Sequence, residues 1–289
     1  LPKKVLDEEI DIIKKLGADF KNNIEIGRDI SFKYIRDNYD AVYLGIGAWE
    51  SSKLNIENED CEGVIGGIDF LRKNILGEKI YIGKKVLIVG GGNTAMDACR
   101  TAKRLGAEEV TLLYRRSREE MPAEEIEIIE AFEEGIKFEF LVSPVKVRKE
   151  NNKVKSLVLE KMKLEKDLNN GRKKPIGTGE FKEIDCDLII SAIGQKINLN
   201  GFEEVETNSR GNISVDKYNF RTNIKGVFAG GDGINKGADI AIKAIGDAKK
   251  AAEIIDFYLK GIDIEYKNPY IINKDSEIDE EFFIDWDKR

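Results

Sequence analysis

The chain has 289 residues, of which 35% are charged and 41% hydrophobic, and its net charge at pH 7 is -7. This length suits two domains, or one domain with insertions, and allows a sizeable core. The chain lacks both a basic block that could neutralise phosphates and an apolar run near the roughly 18 residues of a membrane span, so neither nucleic acid nor a membrane is a predicted partner. Histidine is absent, which excludes hydrolytic triads of the Ser-His-Asp type.

The three cysteines, Cys61, Cys99 and Cys186, lie far apart in the sequence. They form neither a CxxC pair nor a set of metal ligands. We therefore predict no disulfide framework, no metal centre and no thioredoxin-reductase-like disulfide chemistry in this chain. This use of cysteine favours a reducing cytoplasm.

The chain opens with LPKKVLDEEIDIIKKLGADF, which has neither an initiator methionine nor a signal-peptide pattern. We interpret this opening as the middle of a longer protein. Apolar residues at helical spacing predict an amphipathic helix over residues 4–16. KNNIEI predicts a short strand after that helix.

DAVYLGIGA, residues 40–48, is typical of a strand that is buried on both faces. Gly45 and Gly47 end this strand at the crevice where open α/β sheets bind ligands. Residues 49–79 show little periodicity apart from GIDFLRKNILG, which predicts a short helix. We interpret them as a connection between two domains.

A complete strand-turn-helix-strand unit follows, in which KKVLIVG and EVTLLY are the strands. Gly90, Gly92 and Ala95 form the pattern GxGxxA between them, and this context indicates a dinucleotide site. Gly90 would permit the tight turn, Gly92 the approach of a pyrophosphate, and Ala95 the close packing of the helix on the strand. The amides at the helix start, at Asn93 and Thr94, would hold the phosphates. The alternative is a glycine-rich turn without a ligand.

Arginines stand where such units normally carry an acidic residue for the ribose 2′-hydroxyl, about 20 residues after the glycines. Arg115 and Arg116 occupy this place, and Arg118 follows. Guanidinium groups suit a 2′-phosphate, so we predict NADP(H) rather than NAD(H). The alternative is a solvated loop in which the arginines pair with Glu119 and Glu120.

An insertion is predicted after a helix at roughly 122–134. The alternating stretches KFEFLV and VKVRKENNKVKSLVLEKMKLE predict antiparallel strands joined by tight polar turns. DCDLIISAIGQ, residues 185–195, then predicts another buried strand, and Gly194 at its end is a candidate cofactor contact.

GVFAGGDG, residues 226–233, predicts a third buried strand with a glycine ending. A helix from about 239 to 260 is predicted after it. Gly231 and Asp232 thus stand between a buried strand and a helix N-terminus, which favours a ligand contact over an ordinary turn.

The chain resembles the flavoproteins with two dinucleotide-binding domains, and specifically the small (beta) subunit of glutamate synthase and its relatives. The motifs that carry the resemblance are DAVYLGIGA, VLIVGGGNTAMDACRTAKRLGA with YRRSREEMPA, SAIGQ, and GVFAGGDG with AIKAIGDAKKAA. Together they run through nearly the whole chain up to about residue 262.

The resemblance implies which residues contact which cofactor. The central glycine motif would bind NADPH, and Asp232 would meet the ribityl chain of FAD. The helix that starts near Asp239 and Ile240 would direct its N-terminal amides at the flavin and stabilise negative charge on the reduced ring. Gly45 and Gly47 would line the same FAD crevice.

The implied fold class is α/β, with two Rossmann-like three-layer dinucleotide-binding domains and the NADP domain inserted in an incomplete FAD domain. The expected division is an N-terminal part of the FAD domain with the connection (1–78), the NADP(H) domain with its antiparallel insertion (79–195), a C-terminal part of the FAD domain (196–262) and an acidic, aromatic tail (263–289). The first FAD-binding GxGxxG and the cysteine-rich iron-sulfur region of the family do not occur in this sequence. A turn that the family writes IPGE is IENE here.

The implied function is an NADPH-dependent flavin oxidoreductase that passes hydride from NADPH to FAD and electrons to iron-sulfur centres or a partner subunit. No side chain is predicted to act as a catalytic acid or base. One alternative is a ferredoxin:NADP oxidoreductase subunit, which could be electron-bifurcating, with ferredoxin as the partner. Another is an NADP(H)-binding module without catalysis.

The chain on its own is expected to bind NADPH but not FAD, because its one complete glycine unit is assigned to NADP(H). The strand that would carry the first FAD-binding GxGxxG does not occur in this sequence. The sheet edge that it would cover is expected to favour self-association as a homodimer.

Overall fold

The computed structural model describes residues 2–166, 173–216, 219–234 and 240–262. The helices are α1 (Lys3–Lys15), α2 (Phe32–Asn38), α3 (Gly67–Ile75), α4 (Asn93–Arg104), α5 (Glu125–Glu133) and α6 (Ala241–Leu259). The strands are β1 (Val42–Leu44), β2 (Glu50–Ser51), β3 (Val64–Gly66), β4 (Lys85–Val89), β5 (Glu109–Tyr114), β6 (Lys137–Phe140), β7 (Val142–Glu150), β8 (Lys153–Glu165), β9 (Lys174–Asp185), β10 (Leu188–Ser191), β11 (Gln195–Lys196) and β12 (Val227–Ala229). Single 3₁₀ turns lie at Arg118–Glu120 and Gly231–Gly233.

A parallel sheet of five strands, in the order β3-β10-β4-β5-β6, forms the centre of the larger unit. Residues of β4 alternate between its two faces. Val86 and Ile88 pack with α3, α4 and α5, whereas Leu87 and Val89 pack with β7 and β8. The predicted strand KKVLIVG is confirmed, and its apolar residues are buried on both faces.

The second layer on this sheet is itself a sheet, in which β7, β8 and β9 are antiparallel. The predicted antiparallel insertion is confirmed for β7 and β8. The prediction that KFEFLV belongs to the antiparallel insertion is wrong, because β6 pairs in parallel with β5. Phe138 and Phe140 point to one side of β6, where they pack against the core on the helix side of the parallel sheet.

A smaller unit surrounds the parallel pair β1 and β12, whose register places Leu44 beside Ala229. Its core also includes Phe32, Phe202 and Ala251. The prediction of a strand at KNNIEI is wrong. This stretch forms only an isolated bridge, between Ile26 and Ile30. It does not extend as a strand because the chain turns at Asn23 and Gly27, which have φ values of 58° and 93°.

The predicted helices are confirmed with ends shifted by a few residues, as at α1, α5 and α6. The stretch interpreted as a connection, 49–79, also contains β2, β3 and α3, and β3 is an edge strand of the parallel sheet. A domain boundary between residues 78 and 79 stays a prediction, since β3 and α3 pack with the sheet that follows it.

Candidate nucleotide and flavin site

The glycine turn after β4 passes close to two neighbouring elements. Gly90 has a φ of 150°, and a Cβ there would lie 2.3 Å from the carbonyl oxygen of Ala192. A Cβ on Gly91 would lie 2.5 Å from the ring of Tyr114. Both positions therefore require glycine. Gly91 was not predicted from the sequence, where its only signal was its place in a run of three glycines.

The start of α4 faces open space. Its N-cap is Gly92, where an added Cβ would meet only Cγ of Pro122, at 3.9 Å. The first N–H groups of a helix, here from Asn93 and Thr94 onward, have no acceptors within the helix. Ala95 is fully buried behind them, so it serves packing as predicted. The geometry leaves room for an anion at a helix N-terminus.

Hydrogen bonds hold the 117–124 loop beside the glycine turn. The backbone N–H of Ala123 donates to the carbonyl oxygen of Gly91 at 3.1 Å, and that of Glu124 donates to Oδ1 of Asn93 at 3.1 Å. The Tyr114 hydroxyl donates to the carbonyl oxygen of Glu120 at 2.7 Å. These bonds hold the loop in one position relative to the start of α4.

The arginines follow β5, with Arg115 exposed and Arg116 half-buried. Arg116 donates from Nε to the carbonyl oxygen of Lys173 at 3.0 Å. Arg118 pairs with Glu125, and its guanidinium carbon lies 5.8 Å from the ring centroid of Phe132. Arg118 is therefore engaged with α5, whereas Arg115 and Arg116 belong to the pocket described below.

The two acids of the loop have their own partners. Glu119 and Glu120 both accept from the Ser117 hydroxyl, and Glu120 also lies 3.0 Å from Nζ of Lys173. The bond from Ser117 is the largest cause that lowers the pKa of each carboxyl, and Lys173 lowers the pKa of Glu120 further. Both carboxylates are therefore ionised at neutral pH.

The end of β10 and the residues after it are bonded to the start of α4 and to the segment after β2. The side-chain amide of Gln195 donates to the Thr94 hydroxyl at 3.3 Å, and the Ser191 hydroxyl donates to the carbonyl oxygen of Ser52 at 2.8 Å. Gly194 lies between these contacts with a φ of 132°. The strand ending SAIGQ thus lies beside the helix start of the nucleotide turn.

The ends of β1 and β12 also meet. The N–H of Gly230 donates to the carbonyl oxygen of Leu44 at 3.3 Å, and a Cβ on Gly233 would lie 3.5 Å from Cγ1 of Ile46 and 3.7 Å from the carbonyl oxygen of Gly47. Asp232 lies within this turn and is half-buried. The structure therefore places Gly231 and Asp232 next to the segment of Gly45 and Gly47.

Two further residues fix this turn and were missed in the sequence. Asp247 of α6 accepts from the N–H of Gly231 at 3.1 Å. A Cβ on Gly230 would lie 2.1 Å from the Tyr43 hydroxyl oxygen, so a larger residue there would displace the Tyr43 side chain. Burial, and then the charge of Asp247, raises the pKa of Tyr43. Both residues lie within motifs noted in the sequence, DAVYLGIGA and AIKAIGDAKKAA, but no sequence pattern indicated their contacts with this turn.

One pocket of about 920 Å³ connects the two turns. Most of the predicted contacts line it, namely Gly90, Gly92, Asn93, Thr94, Arg115, Arg116, Gly194, Asp232 and Ile240. Ala95 lies behind its wall, and Gly45, Gly47 and Gly231 lie beside Asp232 rather than in the lining. Ile240 is the N-cap of α6, and Asp239 lies outside the described residues.

Other kinds of site find little support in the part of the chain that the structure describes. It contains no group of three or more potential metal ligands and no helix long and apolar enough to span a membrane. The three cysteines are buried. Burial raises the pKa of the Cys61 and Cys99 thiols and raises that of Cys186 to about 12, so all three are thiols at neutral pH.

Comparisons with known proteins agree with this geometry. The chain is 40% identical to the NADP(+)-dependent formate dehydrogenase subunit beta of Moorella thermoacetica, over 90% of this chain and 37% of that relative. It is 34% identical to the glutamate synthase [NADPH] small chain of Escherichia coli K12, over 90% of this chain and 59% of that relative. The chain spans less than two thirds of the length of each.

A solved structure shows the same fold. FprA of Mycobacterium tuberculosis, in a structure with a covalently modified NADP+, superimposes with a TM-score of 0.75 at 18% identity, over 90% of this chain and 73% of that one. The predicted α/β class with two dinucleotide-binding domains is thereby confirmed, as is the resemblance to the glutamate synthase small subunit. The family model described as pyridine nucleotide-disulphide oxidoreductase matches residues 7–278, so the chain belongs to that family.

Proposed function

We propose that this chain is the NADP(H)-binding part of a flavin-dependent oxidoreductase in which FAD accepts hydride from NADPH and electrons pass on to iron-sulfur centres or a partner subunit. The observation that carries the proposal is the single pocket that joins the glycine turn, the arginines and Asp232. In this proposal residues 79–195, together with β3 and α3, form the nucleotide unit, and the rest of residues 1–78 and residues 196–262 belong to the flavin unit.

The residues of the glycine turn fit a pyrophosphate. A side chain at Gly92 would project toward Pro122 and into the open space ahead of α4, so the glycine leaves that space to a ligand. The first amides of α4 and its dipole favour an anion there. A volume of about 920 Å³ is in the range of small-molecule and cofactor sites.

The residues at the arginine end of the pocket fit the 2′-phosphate that distinguishes NADP(H). Arg115 and Arg116 bring two fixed positive charges to the end of β5. The 117–124 loop, whose acids are held by Ser117 and Lys173, shapes the wall between this end and the glycine turn. We therefore assign cofactor choice to Arg115 and Arg116.

At the other end of the pocket Asp232 and the start of α6 suit FAD. Asp232 is held in place because its turn is bonded to Leu44 and Asp247. Bound side by side, nicotinamide and flavin would supply hydride transfer. The chain contributes position and electrostatics, and we assign no proton transfer to a side chain of the pocket.

The two curated relatives described above are named as a subunit and as a small chain. We accordingly propose an electron-accepting subunit or a ferredoxin as the partner of this chain. A ferredoxin:NADP oxidoreductase subunit, with or without electron bifurcation, would use the same pocket. The two candidates differ only in the acceptor.

The proposal is tested first on nucleotide binding and then on the flavin. The purified chain should bind NADPH, should show no flavin absorbance near 450 nm, and should not oxidise NADPH with an artificial electron acceptor even when FAD is added. The natural full-length protein should be yellow and should oxidise NADPH. A chain that binds no NADPH would overturn the proposal.

Two other outcomes separate the alternatives. A colourless, inactive full-length protein that still binds NADPH would favour the module without catalysis. A yellow and active 289-residue chain would show that it holds FAD without a second glycine unit, which contradicts our expectation for the chain but supports the flavoenzyme.

A further inference from the structure

Lys173, which immediately precedes β9 of the antiparallel sheet, contacts Arg116 at the arginine end of the pocket. Its carbonyl oxygen accepts from Nε of Arg116 at 3.0 Å. Its ammonium group lies 3.0 Å from Oε1 of Glu120. Lys173 thus joins the sheet, the pocket arginine and the 117–124 loop.

Glu120 is a fixed anchor for that lysine. Its side chain is only 11% exposed, and its carboxylate accepts from both the hydroxyl and the backbone N–H of Ser117. These bonds and Lys173 hold the carboxylate in its ionised form. Because Glu120 is held by the loop, the ion pair holds the segment at Lys173 in one place.

The hydrogen bond from Arg116 to Lys173 fixes the orientation of the Arg116 guanidinium. Since its Nε–H is taken by the carbonyl of Lys173, the plane of the guanidinium is fixed, and the two Nη groups are the donors that can meet a phosphate. A guanidinium that is oriented before the ligand arrives loses less side-chain entropy on binding.

We propose that Lys173 and Glu120 are positioning residues for selection of the 2′-phosphate. They act through Arg116 and are not themselves phosphate ligands. The inference rests on the proposed NADP(H) site and adds to it the device that orients one of its two arginines.

A direct electrostatic role gives the opposite sign in one variant. If the charges near the phosphate acted directly, Glu120→Gln would remove a negative charge and tighten NADPH binding. If Glu120 acts by holding Lys173, and Lys173 by orienting Arg116, Glu120→Gln should weaken NADPH binding although the site becomes more positive. Glu120→Gln therefore separates the two roles.

The experiment measures NADPH and NADH dissociation constants for five variants of the full chain. Glu120→Gln and Lys173→Gln should each weaken NADPH by roughly three- to tenfold, a part of what a whole charge-assisted hydrogen bond contributes, and should leave NADH unchanged. Lys173→Arg keeps the ion pair and should retain the selectivity. Glu119→Gln and Lys174→Gln are matched controls. Glu119 loses the same charge and its bond with Ser117 but does not touch Lys173, and Lys174 is exposed.

The Arg116→Ala background completes the test. There Lys173→Gln should have no further effect on NADPH, because its effect passes through the missing guanidinium. Thermal unfolding of every variant shows whether a loss of affinity comes from misfolding, which would lower NADPH and NADH binding together.

Three results would overturn the inference while leaving the proposed function intact. They are tighter NADPH binding by Glu120→Gln, full additivity of Lys173→Gln with Arg116→Ala, and equal losses of affinity for NADPH and NADH. A wild-type chain that does not prefer NADPH, or an Arg116→Ala variant that keeps the preference, would instead count against the proposed function itself.

Discussion

The carboxylate of Asp247 accepts a hydrogen bond from the backbone N–H of Gly231 at 3.1 Å, so α6 is attached to the turn that carries Asp232. This bond is one link through which a change on α6 would reach the flavin end of the pocket. The Asp247 carboxylate also lies near Tyr43, whose pKa is raised by burial and then by this negative charge.

Asp247→Ala should destabilise the smaller unit by about 1–2 kcal/mol, because it leaves the N–H of Gly231 without its acceptor. Urea unfolding followed by circular dichroism measures this change. Asp256→Ala on the same helix is the control. It removes only an exposed pair with Lys260 and should cost less than about 0.5 kcal/mol. Equal costs would mean that Asp247 does not anchor the turn.

Replacing Arg115 and Arg116 by alanine should weaken NADPH much more than NADH, by about 1.5–3 kcal/mol for each charge-assisted hydrogen bond that the substitution removes. Titration of both nucleotides into the wild type and the variants measures the difference. Arg148→Ala on the exposed side of β7 is a matched control, since it removes the same charge outside the pocket. Parallel losses of NADPH and NADH affinity would show that the arginines do not bind the 2′-phosphate.

Gly91→Ala should reduce both stability and nucleotide affinity, because the new Cβ would lie 2.5 Å from the Tyr114 ring and force the turn away from β5. A loss of about 1–3 kcal/mol in stability is expected for such overpacking. Thermal unfolding and NADPH titration both report it.

Gly246→Ala is the contrasting substitution, in the middle of α6 with open space around the added methyl group. Helix propensity predicts a gain of about 0.5–1 kcal/mol there. If neither substitution changed the stability, the close contact with Tyr114 would not be the reason for a glycine at position 91.

The stability of the helix layer should fall in acid. Arg104 and Arg100 lower the pKa of Glu134 below its ordinary value of 4.5. A lowered carboxyl pKa gives stability that is complete above the unfolded value and is lost as the pH falls through the folded value. Melting temperatures between pH 7 and pH 3 should therefore decline below about pH 4.5 for the wild type.

Glu134→Gln should make that decline shallower, whereas Glu133→Gln on the exposed side of α5 should leave it unchanged. The Arg100 side chain, which also meets Glu127 and Glu130, ties α4 to α5 in the native protein. An identical pH profile for Glu134→Gln and the wild type would refute the assignment.

The parts of the site that follow a local rule were predictable from the sequence. Gly90, Gly92 and the start of α4 belong to one strand-turn-helix unit, and Arg115 and Arg116 stand at a fixed offset from it. Local rules also located the ends of β10 and β12, because each is an apolar run closed by glycine.

The parts that depend on distant segments were not predictable. β9 was missed because Pro175, Gly177 and Gly179 weaken its strand signal, and it is a strand only through its pairing with β8. KFEFLV alternates like an antiparallel strand, yet its place is decided by packing of Phe138 on the helix side. The contact of Lys173 with Arg116 joins residues 57 positions apart, so no local pattern contains it.

The alternation of β4 between two cores has a topological consequence. β4, β5 and β6 advance across the sheet in one direction, and right-handed crossovers then place α4 and α5 on the same face. The opposite face would expose Leu87, Val89 and Leu113 to water if β7 and β8 did not cover it. The antiparallel sheet is therefore the third layer of this unit and not an addition to a domain that is complete without it. Shortening β7 or β8 would expose this side of the core to water.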